Sequence, residues 1–191
     1  NRTAANIAVL RARGGVEVEG EAEGFGRLGL ITDDIGQVLA DARLIIANVP
    51  AFAHRELAER CAPHLRDGHM VVLNPGRTFG ALEFRRGLNG AACAADVVVA
   101  EAATNLMTAR STGPAQSYIA RIKHAVPVAA LRPARTAEVV AALNEWYPQF
   151  TAASSTLETS FSNVGAVIHP AITLLNAARI ENEQGRFEFY M

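Results

Sequence analysis

The stretch Ser160-Phe161-Ser162-Asn163-Val164-Gly165-Ala166-Val167-Ile168-His169-Pro170, running on to Thr173 and Asn176, carries the side chains best suited to proton transfer in this sequence. Read as helix, it puts Ser162, Gly165, His169, Thr173 and Asn176 along one face of an otherwise apolar cylinder. Histidine is the side chain whose charge changes nearest neutral pH, so His169 is the candidate acid/base. A lone histidine on an apolar helix is more often a satisfied core residue. Two neighbours weigh against that here: Gly165 leaves room one turn earlier, and Pro170 frees a backbone carbonyl. Gly165, Thr173 and Asn176 become candidate substrate contacts, and reduction of a carbonyl or imine is the chemistry such a proton donor would serve.

A second set of polar and turn-forming groups falls where three apolar runs stop: Asn48-Val49-Pro50, Asn74-Pro75-Gly76 and Glu101-Ala102-Ala103-Thr104. In an open parallel sheet the ligand lies outside the carboxyl ends of the strands, where loops and helix N-termini converge. Asn48, Val49, Pro50, Asn74, Pro75, Gly76 and Glu101 are therefore candidate cofactor contacts, although Pro and Gly also end strands for purely local reasons. Asn1, Arg2 and Thr3 join them. In dinucleotide folds an arginine at the end of the second strand accommodates a ribose 2′-phosphate, so Arg2 favours NADP over NAD; the plainer reading is an N-cap beside a solvated arginine. No G-x-G-x-x-G stands between a strand and a helix. Gly24-Phe25-Gly26-Arg27-Leu28-Gly29 matches the spacing but opens no helix, so a pyrophosphate loop is expected upstream of Asn1. His54, His64 and His69 are expected at the surface or in caps and His124 in a hairpin turn. No pair of them has metal-ligand spacing with a carboxylate, so no metal is expected.

The elements that must position these groups can be read from periodicity. Residues 3–13 read as a helix stopped by Gly14-Gly15, followed by short strands with glycine-rich turns and a helix capped by Asp33-Asp34 and running to Leu39. The runs Leu44-Ile45-Ile46-Ala47, Met70-Val71-Val72-Leu73 and Val97-Val98-Val99-Ala100 suit strands covered on both faces, with helices expected over 53–65 and 80–88 between them. That alternation is the signature of a parallel sheet with right-handed crossovers. Two further strands, near 115–122 and 125–131, are expected beside it, then a helix over 136–146. Beyond Pro148 one long helix is expected over 159–180, opening a second unit. The fold class is thus α/β: a Rossmann-type parallel sheet, incomplete at its N-terminus, over residues 1–152, followed by the start of an all-helical domain over 153–191.

Composition sets the outer limits. With 191 residues, half of them hydrophobic, the chain can bury a sizeable core. A formal charge of -1 with scattered basic residues gives no footprint for nucleic acid or an anionic membrane. Only Cys61 and Cys93 occur, which argues against a disulfide scaffold, a zinc site or a thiol redox motif, and fits a reducing cytoplasm. No apolar run approaches the roughly 18 residues of a membrane span.

The segments Asn74-Pro75-Gly76, Gly80-Ala81-Leu82-Glu83-Phe84-Arg85, Glu101-Ala102-Ala103-Thr104 and above all Asn163-Val164-Gly165-Ala166-Val167-Ile168-His169-Pro170 with Leu174-Leu175-Asn176-Ala177-Ala178-Arg179 resemble the opine dehydrogenases, the octopine/nopaline dehydrogenase family. The resemblance runs through nearly the whole chain. It implies a Rossmann domain, a helical domain and a cleft between them. There an amino acid and an α-keto acid such as pyruvate would be condensed reductively with NADH or NADPH. By motif match His169 takes the place of the family's catalytic histidine, Asn163 that of a substrate-binding position, and the Asn48 and Asn74 loops those around the cofactor. The family's glycine fingerprint and the aspartate that orients its histidine are absent from these residues, so the chain is expected to be part of a protein nearer twice its length and inactive alone. A homodimer is left open. The rival readings are a ketopantoate reductase, β-hydroxyacid or glycerol-3-phosphate dehydrogenase-like enzyme, which would rely on a helical-domain lysine that residues 151–191 lack, and an inactive dinucleotide-binding module.

Overall fold

The computed structural model describes residues 4–183. The candidates Asn1, Arg2 and Thr3 lie outside them. Helix α1 (Ala4–Arg13) leads into strands β1 (Gly15–Gly20) and β2 (Gly24–Arg27), then α2 (Ile35–Ala40). Asp34 caps α2, its carboxyl oxygen accepting from the Gln37 amide at 3.2 Å. Next come β3 (Leu44–Ala47), α3 (His54–Cys61), β4 (Met70–Leu73), α4 (Gly80–Gly90) and β5 (Val98–Ala102). The chain continues through β6 (Met107–Gly113), β7 (Gln116–Ile122), β8 (Val126–Ala130), α5 (Thr136–Asn144) and β9 (Phe150–Ala152). It closes with α6 (Thr156–Phe161), α7 (Gly165–Leu175) and α8 (Ala177–Asn182).

The main sheet has the order β3-β4-β5-β8-β9. Strands β3, β4 and β5 are parallel, β8 runs antiparallel to β5, and β9 parallel to β8. Every residue of β4 and β5 is buried, because helices cover both faces. The period-2 alternation of strand side chains decides which cover each residue meets. Val71, Leu73 and Val99 pack with Ala58, Phe84 and Leu88 of α3 and α4, while Met70, Val72, Val98 and Ala100 pack with Val139 and Leu143 of α5.

Three expectations change. Only one of the two additional strands joins the parallel sheet: β7 belongs to a second, four-stranded sheet of order β2-β1-β7-β6, in which β1 pairs parallel with β7. Its neighbour β6, not anticipated, is polar and largely exposed, so its sequence carries no alternating apolar signal. His124 accordingly lies in a crossover between sheets and not in a hairpin. The expected helix over 159–180 is three helices. Ser162 ends α6, and Asn176 ends α7 with its side-chain amide donating to the Ile172 carbonyl at 2.9 Å. Pro170 is accommodated inside α7. Finally, His54 and His69 are buried rather than superficial, whereas His64 is exposed.

Candidate active site

Parallel pairing brings the three strand ends level. Ala47 is opposite Leu73, and Leu73 opposite Glu101. The loops are stitched by backbone bonds, the Asn74 amide to the Ala47 carbonyl at 2.9 Å and the Gly76 amide to the Ala102 carbonyl at 3.0 Å. At the β3 edge a groove of about 920 Å³ is lined by Asn48, Val49 and Pro50, with Ile46 and Phe52 beside them. Asn74 lies one strand further in, its side-chain oxygen buried without a hydrogen-bond partner. Pro75 and Gly76 are themselves buried.

Glu101 departs from the expected cofactor contact. It is 0 % exposed, and its carboxyl group is occupied by this chain's own donors: the Ala81 amide at 2.8 Å, the Thr159 hydroxyl at 2.7 Å and the Ser160 hydroxyl at 2.7 Å. Ala81 is in the first turn of α4, whose N–H groups have no partners within the helix, so Glu101 satisfies one of them and sits favourably at the positive end of the helix dipole. Ser160 in turn accepts from the Phe79 amide at 2.9 Å. One carboxyl group therefore joins β5, the start of α4 and α6. Gly76 is required beside it, since a Cβ there would lie 2.3 Å from the Glu101 Cβ.

The β4–α4 loop is held in an uncommon shape, with Arg77 at φ 61° and Phe79 at φ 58°. Left-handed backbone at non-glycine residues persists only where surroundings over-determine it, commonly at functional sites. Phe79 meets Phe161 edge to face with centroids 5.7 Å apart. Thr78 accepts from the Asn163 side-chain amide at 3.3 Å. Asn163 and His169 then converge on Gly165: a Cβ on that glycine would be 3.3 Å from His169 Nε2 and 3.4 Å from Asn163 Oδ1. The half-buried His169 is thereby linked through Asn163 to the loop that follows β4. Thr173 and Asn176 are less available than expected, because the Thr173 hydroxyl donates to the His169 carbonyl at 2.9 Å and the Asn176 amide to that of Ile172.

Two site residues escaped the sequence. His54 is 1 % exposed, with its ring edge against Gly80, where a Cβ would lie 2.8 Å from it, and its Nε2 is buried without a partner. Burial, reinforced by the charge of Arg77 and opposed by Glu83, lowers its pKa and keeps the ring neutral. Lys123, between β7 and β8, points its Nζ at Thr104 Oγ1, 2.5 Å away, just beyond the end of β5. Its one legible signal was rarity: it is the sole lysine among 18 Lys and Arg residues.

Over residues 152–191 the chain matches the model of the NAD/NADP octopine/nopaline dehydrogenase alpha-helical domain. It is 38% identical to an opine dehydrogenase of Arthrobacter sp. (strain 1C) over 191 residues, which are 98% of this chain and 52% of that protein. Along nearly its whole length the chain is similar to the octopine/nopaline dehydrogenase family. It spans about half the length of the relatives it matches. In architecture it resembles octopine dehydrogenase with NADH and pyruvate, at TM-score 0.75 and 22% identity over 96% of this chain and 49% of that one. Yersinopine dehydrogenase with NADP+ bound gives TM-score 0.72 at 19% identity, covering 91% and 45% respectively. Among the described residues no helix is long and apolar enough to cross a membrane.

Proposed function

We propose that this chain carries the acid/base half of an opine dehydrogenase reaction, the NAD(P)H-dependent reductive condensation of an amino acid with an α-keto acid, acting on a CH–NH bond. The observation that carries the reading is the convergence of His169, Gly165 and Asn163 beside the loop that follows β4.

The groove at the β3 edge and the unpartnered Asn74 oxygen fit a nicotinamide dinucleotide, with Asn48, Val49, Pro50 and Asn74 as the residues that would hold it. When bound, that cofactor supplies the hydride. The chain's own residues do the rest. His169 gives a proton to the developing amine or takes one in the reverse direction, a role typically worth about 10²–10⁴-fold in rate. Asn163, held by Thr78, keeps a side-chain oxygen beside His169 to orient substrate. Gly165 keeps the space between them open. Glu101 acts at one remove, fixing the start of α4 and α6 on which this geometry rests.

The experiment is His169→Ala in the full-length protein, assayed by loss of reduced nicotinamide absorbance with pyruvate and a panel of amino acids. Turnover is expected to fall by about 10²-fold or more with KM values little changed. Near-wild-type turnover would remove His169 from the mechanism. NADP is favoured over NAD through Arg2, so the ratio of NADPH to NADH efficiency should drop in Arg2→Ala; a wild-type preference for NADH would overturn that assignment. The free thiols Cys61 and Cys93 support a cytoplasmic setting.

A further inference from the structure

The cations at the carboxyl end of the main sheet are not accounted for by the chemistry above. Lys123 is half-buried, fixed through its own amide, which donates to the Leu106 carbonyl at 3.0 Å, and through its Nζ on Thr104. No carboxylate among the described residues lies within salt-bridge distance of Lys123 or of Arg77. Some other cations do have such partners, Arg55 with Glu83 and Arg132 with Asp96, whereas Arg66 and Arg85 donate to backbone carbonyls instead. Burial first, and the charge of Arg77 second, make Lys123 hold its proton less firmly, so the two positive groups are within electrostatic reach of one another. A half-desolvated ammonium whose partner among the described residues is a neutral hydroxyl stands at a cost that an anion would relieve.

The position says which anion. The groove suited to the dinucleotide lies at the β3 edge, whereas Thr104 follows β5, two strands away, or about 10 Å at the usual strand spacing. Arg77 is the immediate neighbour of Thr78, which accepts from Asn163, which adjoins His169 across Gly165. The loop carrying Arg77 therefore adjoins the proton-transfer group, and Lys123 lies at the end of β5, two strands from the groove. A loop with two left-handed non-glycine residues, Arg77 and Phe79, carries one of the two charges, consistent with a conformation kept for what it presents.

We infer that Lys123, assisted by Arg77, anchors a carboxylate of the α-keto acid at the end of β5, beside His169. The inference rests on the opine dehydrogenase reading above. An ammonium suits this task because it is a compact point charge that can bond Thr104 and a carboxylate oxygen together. The carboxylate so held would set the distance of the keto carbon from the histidine, making Lys123 a determinant of selectivity for keto acids over neutral ketones or aldehydes.

The test uses Lys123→Met, which keeps length and apolar volume, and Arg77→Met at an exposed position, both in the full-length protein and both checked for an unchanged thermal midpoint. Lys123→Met is expected to raise KM for pyruvate about 10-fold to 100-fold, the worth of one charged hydrogen bond, with KM for NADPH and NADH within about twofold of wild type. Arg77→Met should move the pyruvate KM in the same direction by a smaller factor, and Lys123→Arg should restore part of the loss. Unchanged pyruvate KM in Lys123→Met overturns the inference while leaving the function intact. A rise confined to the cofactor KM overturns it too, because the anion would then be a cofactor phosphate. If Lys123→Met does not fold, Arg77→Met alone decides by the same readout. Should the wild-type protein turn over no amino acid and keto acid pair, the function reading falls. Calorimetric titration with pyruvate then judges the site: weaker binding in the variants supports it, and equal binding sinks it.

Discussion

Replacing Glu101 by Ala isolates the contact that joins the sheet to the helices carrying His169. The wild-type carboxyl group accepts from the Ala81 amide and the Thr159 and Ser160 hydroxyls, all with 0 % exposure at Glu101. The three donors are not equivalent. Thr159 already has the Thr156 carbonyl at 3.1 Å and can turn fully to it, whereas the Ala81 amide is fixed in direction by α4 and has no alternative. Counting about 1–3 kcal/mol for each buried donor left unpaired, one amide and one hydroxyl give about 2–6 kcal/mol, with a further contribution from the emptied side-chain volume. For a chain of this size that corresponds to a fall in thermal midpoint of about 4–24 °C. Glu101→Gln, nearly isosteric, keeps one acceptor oxygen and should lose less. Urea unfolding measures the total, and native-state hydrogen exchange localises it: the Ala81 and Phe79 amides should lose protection before the centres of β4 and β5. If Glu101→Ala unfolds within about 1 kcal/mol of wild type and the Ala81 amide stays protected, the carboxyl group is not the joint described here.

Further outcomes follow from other contacts. His54 has a pKa lowered from 6.5 in the folded chain, so the unfolded state binds the extra proton first. Its contribution to stability is complete above about pH 6.5 and is lost as pH falls from there towards the folded value. His69, also lowered by burial and then by Arg66, acts in the same sense. Urea midpoints followed from pH 7.5 downwards should therefore decline less steeply in His54→Gln than in wild type; parallel curves would refute the assignment. Gly87→Ala should destabilise by about 1–2 kcal/mol, because the new Cβ would lie 2.8 Å from the Ala58 Cβ and 3.0 Å from the Arg55 carbonyl, where α3 and α4 cross closely. Gly90→Ala in the same helix meets nothing within 4 Å and should be neutral or stabilising by up to about 1 kcal/mol; the reverse order of the two variants in thermal melts would contradict the packing of this helix pair.

What the sequence determined by itself was whatever local periodicity and end chemistry encode. The runs at 44–47, 70–73 and 97–100 read as strands covered on both faces, and they are the parallel strands β3, β4 and β5; the coverage holds for β4 and β5, whereas β3 at the sheet edge leaves Ile46 exposed. Asp34 announced the start of α2, and the spacing of Gly165 and His169 put those two residues one turn of helix apart, whereas Asn163 was pointed to only by the family resemblance. Tertiary structure decided the features whose partners are distant in sequence. Nothing near Glu17 or Gln116 indicates that they pair across the second sheet, and the largely exposed β6 has no pattern of its own to read. Glu101 looked like a ligand contact because a carboxyl group at a strand end is normally solvated; only the arrival of Thr159 and Ser160 from nearly sixty residues away turned it into a buried joint. His54 and Lys123 follow the same rule. The sequence places them on a crossover helix and in a loop, but the burial of His54 against Gly80 and the bond from Lys123 to Thr104 come from chain topology, which alone brings those neighbours alongside them.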